Sequence, residues 1–173
     1  ILMQCINKDY EIIISDFKGG VDYPSIWQRN CSFATTLSDV SSQLKNICTR
    51  LESRKKLFSQ FGYGNIDIYN QSERNPLARI IFACDELAEL LDTTGLSTKE
   101  KAPIKEIEKY ISTIARLGRA FGIHLILATQ RPDANILNGQ IKNNISYKIC
   151  GRADQILSQI ILDSTNAYIN IPS

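Results

Sequence analysis

Two apolar runs that break off into polar groups limit what this chain can become. Ile80-Ile81-Phe82-Ala83-Cys84 leads straight into Asp85-Glu86, and His124-Leu125-Ile126-Leu127-Ala128 leads into Thr129-Gln130. Short continuous apolar runs suit strands covered on both faces, as in parallel α/β sheets. Ligands in such sheets gather at the C-terminal strand tips. Two carboxylates aimed at a tip are costly unless a cation or good donors meet them. A magnesium–nucleotide site would do so, with Asp85 holding the Mg²⁺ shell through water and Glu86 polarising the attacking water. The competing reading is that Asp85-Glu86 merely opens a helix from Glu86 to Leu91, where acids suit the positive dipole end. From that run alone the two weigh about equally. The second run adds Gln130, whose amide could bond a γ-phosphate or the attacking water, or could simply begin a turn before Arg131-Pro132.

Periodicity supplies the elements around these tips. Glu11 to Ser15 reads as a short strand. Leu37, Val40, Leu44, Ile47, Leu51 and Phe58 recur at helical spacing, which predicts a long amphipathic helix over 38–61, stopped by Gly62-Tyr63-Gly64. A further helical turn over 65–70 and a loop over 72–76 lead to the acidic strand. The threonine-rich stretch 92–101 reads as a mobile connection. Ile104, Ile107, Ile111, Ile114, Leu117 and Phe121 mark the next helix, and a strand around 147–150 and a helix over 153–162 follow. Strand and helix alternate throughout. The pattern predicts a three-layer α/β domain over 1–173, its mainly parallel sheet flanked by helices.

The 173 residues, 43% hydrophobic and 22% charged, suffice for one globular core. No apolar run reaches the roughly 18 residues of a membrane helix, and no signal peptide is present, so the piece is expected to be soluble. The five cysteines form no C-x-x-C signature, which points to a reducing compartment. A net charge of +2 leaves no strong global field for nucleic acid, so any such contact must be a local patch. Arg50, Arg54, Lys55 and Lys56 offer one on the long helix, although a solvated face is the usual meaning of such a cluster. Asp16 and Lys18, with Gly19-Gly20, fit a turn after the first strand. His124, the sole histidine, reads as a core residue within its strand.

The stretch from Ile80 to Pro132, with DELAELL after the first strand and ARLGRAFGIHLILATQRP across the second, resembles the motor domain of the FtsK/SpoIIIE family. Downstream, Ile136 to Ile145 resembles the family's segment after the glutamine strand, and Ile160-Ile161-Leu162-Asp163 its "TILD" helix. Upstream, Leu51 to Leu57 is similar to the family's acidic-basic helix, and Ser15 to Gly20 to its second strand end. The resemblance implies a RecA-like P-loop NTPase core using ATP and Mg²⁺. It makes Asp85 and Glu86 the metal-binding and water-activating acids, Gln130 a catalytic partner, and Thr129, Asp16 and Lys18 the border of the nucleotide cleft. It makes Arg119 an arginine finger reaching a neighbouring protomer, with Arg116 as the fallback, and hence implies a homo-oligomeric ring, expected to be a hexamer. Double-stranded DNA is the implied cargo, in chromosome segregation or conjugative transfer of a mobile element, with Arg54, Lys55 and Lys56 as candidate contacts. Attachment through regions outside this chain would hold the domain at the cytoplasmic side of a bacterial cell membrane. Type VII secretion ATPases, which move proteins, are the alternative. Asp16-Phe17-Lys18-Gly19-Gly20 looks more like those secretion motors, and the longer Leu137 to Ile145 more like the DNA movers.

One departure stands out. The family binds ATP through G-x-x-x-x-G-K-[ST], whose amides and lysine cradle the phosphates, and no such string occurs here. Gly19-Gly20 has no Lys-Ser or Lys-Thr after it. With Ile1 as first residue, the expectation is an N-terminally truncated piece whose phosphate loop and first strand lie upstream and which alone lacks full ATPase activity. A degenerate, non-hydrolysing scaffold is the other class, and the joint presence of Asp85, Glu86, Gln130 and Arg119 argues against it.

Overall fold

In the computed structural model, which describes residues 1–21, 23–130 and 139–171, the two apolar runs become neighbouring strands of one sheet. Along the chain lie α1 (Leu2–Ile6), β1 (Glu11–Ser15), α2 (Ser25–Asn30), β2 (Ser32–Ala34), α3 (Leu37–Phe61), α4 (Ile66–Ser72) and β3 (Ile80–Cys84). Then follow α5 (Leu87–Leu91), α6 (Thr98–Leu117), a 3₁₀ turn (Gly118–Phe121), β4 (Ile123–Leu127), α7 (Gly139–Asn144), α8 (Gln155–Leu162) and α9 (Asn166–Ile169). The strands run parallel in the order β2-β1-β3-β4. Because Ser15 pairs with Cys84 and Cys84 with Leu127, the C-terminal ends of β1, β3 and β4 finish level. That register sets the site.

Alternate strand residues face two layers of helix. Ile13, Ile80, Phe82 and Cys84 pack against α3, α5 and α6, while Ile12, Ile14, Ile81 and Ala83 meet a smaller cluster around Leu2, Cys5 and Trp27. α6 buries Ile104, Ile107, Ile111 and Ile114 on one stripe, each worth about 1.5–3 kcal/mol of burial. α3 begins at a capping box in which Asp39 N–H donates to Thr36 Oγ1 at 3.2 Å and Thr36 N–H to Asp39 Oδ2 at 3.1 Å. It ends where Gly62 takes a left-handed conformation at φ 75.

Three expectations are corrected. The connection over 92–101 is shorter than composition suggests, because Ser97 N–H donates to Glu100 Oε2 at 2.8 Å and starts α6 at Thr98. The helix over 104–121 tightens into the 3₁₀ turn for its last residues. The segment 147–150 is not a strand: Tyr147 is 90% and Ile149 85% exposed, and no strand lies alongside among the described residues. Strand propensity is not realised without a neighbouring strand to pair with. Short elements such as α1, α2, β2, α7 and α9 go unread in the sequence, being too brief to show a period.

Candidate active site

β3 delivers Asp85 and Glu86 beside the residues that β4 delivers, Thr129 and Gln130. The joint is made by backbone first: Ala128 N–H donates to Cys84 O at 2.9 Å, and Leu87 N–H to Ala128 O at 2.8 Å. Glu86 then occupies the N-cap of α5 in an extended conformation, φ −136 and ψ 96. Its Oε1 accepts from Thr129 Oγ1 at 2.5 Å and from Ala88 N–H at 3.1 Å, and its Oε2 accepts from Gln130 N–H at 2.9 Å. One carboxylate thus caps α5 and also joins the tips of β3 and β4. Three donors hold this half-buried acid in a single orientation across two strand ends.

Asp85 behaves differently. Its backbone N–H donates to Ser15 O at 3.2 Å, while its side chain is exposed and its carboxylate has no hydrogen-bond or ion-pair partner among the described residues. No cluster of three metal-ligating side chains exists among the described residues. A lone carboxylate facing water fits Mg²⁺, which keeps most of its waters and relies on phosphate oxygens, and fits no all-protein metal cage. Cys84, just before the acids, is buried, and that burial pushes its thiol up to about 12, so it serves as a small hydrophobe.

Asp16 is level with these acids but committed elsewhere. It is only 3% exposed, and its carboxylate accepts from Lys18 N–H at 2.9 Å and Gly20 N–H at 2.7 Å. The residue clamps its own loop, aided by Gly20 at φ 79, so the geometry assigns it to the turn and leaves the exposed Lys18 as the loop's outward group.

Arg119 lies on the 3₁₀ turn before β4, exposed, while Gln130 follows the far end of that strand. Five strand residues separate them by about 16 Å, so Arg119 stands at the opposite end of the sheet from Glu86. His124, half-buried, sits near that end with Nε2 3.4 Å from Arg79 Nη1, and Arg79 pairs with Asp67. Burial first, then Arg79 and Arg119, hold its pKa below the usual 6.5.

Of the candidate DNA contacts on α3, Arg54 is corrected. Arg54 is 5% exposed, with Nη1 donating to Phe121 O at 2.6 Å and Nη2 to Ala78 O at 2.7 Å, which ties together the segments entering β4 and β3. Burial, reinforced by Arg50, pulls its guanidinium down to about 10, still protonated at neutral pH. Arg50 is held by Glu11 at 2.6 and 2.7 Å. The signal was present: Arg54 falls between Leu51 and Phe58 on the buried stripe of α3. Lys55 and Lys56 are exposed, with Lys55 near Glu52 at 3.4 Å.

Sequence reasoning also missed a cavity of about 500 Å³ beside Thr129 and Gln130, lined in part by Leu127, Lys142, Tyr147 and Arg152. Lys142 and Lys148 both reach Asp163, at 2.6 and 3.2 Å, which fastens α7 and the 147–150 segment to the end of α8. The family-like string after Gln130 pointed there. Its first part, with Arg131 and Ile136 to Asn138, lies outside the described residues.

A parallel sheet with helices on both faces, acids at one strand tip and a Thr-Gln pair at the next, defines a RecA-like ATPase core. Among solved structures, the pCW3 conjugation coupling protein TcpA, in a monomer form with ATPgS, is 39% identical with a TM-score of 0.91, over 96% of this chain and 48% of that one. The DNA translocase FtsK of Campylobacter jejuni is 37% identical over 132 residues, and that of Chlorobaculum tepidum 36% over 128. The chain belongs to the FtsK/SpoIIIE family of motor domains. It matches over 72–73% of its own length but spans only 13–15% of those translocases. The cytoplasmic domain of the Thermomonospora curvata type VII secretion ATPase EccC shares the fold, with a TM-score of 0.71 at 24% identity over 94% of this chain and 19% of that one. No protein-family model matches the chain.

Proposed function

We propose that this chain is the catalytic part of an ATP-driven ring motor that moves double-stranded DNA, in chromosome segregation or conjugative transfer. The observation that carries the reading is the Glu86 carboxylate clasped by Thr129 Oγ1 and Gln130 N–H beside an exposed Asp85. Relatives described as DNA translocases and a conjugation coupling protein support the cargo.

The residues divide the chemistry. Asp85 would hold Mg²⁺ through water, and the metal would supply charge neutralisation on the phosphates. Glu86, fixed by its donors, accepts a proton from the attacking water. Gln130, whose main-chain N–H is bonded to Glu86, would offer its side-chain amide to the γ-phosphate or the attacking water. Thr129 Oγ1 keeps the Glu86 carboxylate turned away from free rotation. Lys18 borders the cleft from the neighbouring strand tip. A glycine-lysine phosphate loop, absent from these 173 residues, would come from a further segment of the polypeptide. Arg119, separated from Glu86 in its own protomer, would complete a neighbour's site, which calls for a closed ring, with six protomers as the expected number. No described helix is long and apolar enough to cross a membrane. Attachment at the cytoplasmic face would use other regions.

The test is ATP turnover of the full-length protein with and without linear duplex DNA. Stimulation by DNA is expected, and Glu86→Gln should lower turnover by about 10²–10⁴-fold with ATP binding retained. Turnover indifferent to duplex DNA would move the assignment to protein cargo, and none at all would leave a scaffold.

A further inference from the structure

α6 and α7 face each other across a groove of about 980 Å³, away from the acids. Its α6 wall presents Lys105, Lys109 and Arg116. At 100° per residue these three fall within about 40° of one another, so they form a single line along the helix. The line is about 16 Å long at 1.5 Å per residue. All three side chains are exposed, and none has an ion-pair partner among the described residues. The stripe is held in place from behind, because Ile104, Ile107, Ile111 and Ile114 lock α6 onto the sheet.

The α7 wall is of another chemistry. Gln140, Asn143 and Asn144 line it, and the buried Ile141 seats the helix. Among the described residues Glu108 is the one carboxylate of the lining, so their charges sum to +2, as much as the whole chain. Cations on one wall and neutral amides on the other match a phosphodiester backbone, in which charged oxygens alternate with sugar groups. At about 3.4 Å of helix axis per phosphate on one strand, about 16 Å of axis covers four or five phosphates.

We infer that this α6–α7 groove is a backbone-contacting site for duplex DNA, with Lys105, Lys109 and Arg116 as its phosphate contacts. The inference rests on the reading of the chain as a DNA motor, and replaces the α3 patch with a different surface.

The experiment measures binding of a fluorescent duplex to the full-length protein between about 50 and 200 mM salt. Three variants are compared with wild type: Lys105→Ala/Lys109→Ala/Arg116→Ala, the charge-keeping Lys105→Arg/Lys109→Arg, and Lys55→Ala/Lys56→Ala on α3. Each lost phosphate contact should flatten the log–log salt slope by about 0.9 units. The triple variant should therefore lose two to three units of slope, which amounts to roughly a forty-fold change in its affinity relative to wild type across that range. The arginine variant should keep the wild-type slope. Wild-type binding with an unchanged slope in the triple variant would overturn the groove and leave the DNA motor standing. Parallel losses in the α3 variant and none in the groove variant would do the same. Absence of any duplex binding by wild type would overturn the motor reading itself.

Discussion

Arg54→Ala separates a structural arginine from a DNA-binding one. The side chain gives two charge-assisted hydrogen bonds to main-chain carbonyls, Phe121 O and Ala78 O, at 2.6 and 2.7 Å. Bonds of this kind contribute about 1.5–3 kcal/mol each. Truncation to alanine takes this donor from both carbonyls and opens space in the α3 stripe, where Arg54 is itself buried. Relief of the guanidinium's own desolvation, visible in its lowered pKa, offsets part of this. The net loss should be about 3–5 kcal/mol, a large fraction of the 5–15 kcal/mol that stabilises a typical domain. Arg54→Lys keeps the charge but reaches only one carbonyl and should lose about half as much. Urea unfolding followed by far-ultraviolet circular dichroism reads this directly: at about 2 kcal/mol per molar urea, the alanine variant's midpoint should drop by roughly 2 M. A shift below about 0.5 kcal/mol, accompanied by weaker DNA binding, would refute the clamp and return Arg54 to the nucleic-acid surface.

Because Arg119 is remote from Glu86 within one protomer, mixing Arg119→Ala with Glu86→Gln subunits should recover part of the ATP turnover that each lacks alone, and an inert mixture would exclude action in trans. His124, with a folded pKa below 6.5, is neutral in both states above that pH. Below it the unfolded chain takes up a proton that the native state refuses, so stability should fall as pH drops through 6.5, by up to about 1.4 kcal/mol per unit, until the folded pKa is passed. His124→Gln should remove that slope, and urea titrations across the acid range would detect it. Gly122 has φ 70, and a Cβ there would lie 2.3 Å from Ile66 Cδ1. Gly122→Ala should cost more than about 2 kcal/mol, and adding Ile66→Val, which deletes that methyl, should return a measurable part in the same unfolding assay.

The acidic strand, the glutamine strand and the long α3 were legible because each is long or sharply patterned enough for polarity alone to speak. So was the helical crossover from the one strand to the other. The clasp on Glu86 was not, because it depends on Cys84 standing opposite Leu127, a register that no local pattern encodes. Charge misled at Arg54: a run of basic residues suggested a surface, whereas helical phase, with Leu51 and Phe58 on either side, placed it inside. At 147–150 the propensity was read correctly but the partner needed to realise it is not among the described residues. The α6–α7 groove needed a helix of only Gly139–Asn144, too short to be recognised before it is seen folded.

β4 ends the sheet with one strand beside it and, among the described residues, none on its other side. Its isoleucines, Ile123 and Ile126, and its leucines, Leu125 and Leu127, make an apolar edge that no described strand pairs, and no lysine, acid or proline within the strand interrupts them. The opposite edge, β2, is only three residues long and offers far less. An edge of this kind templates the addition of whatever extended chain meets it first. Purified by itself, the chain is therefore a candidate for self-association through β4, and a soluble preparation calls for a strand or a charged substitution that closes that row.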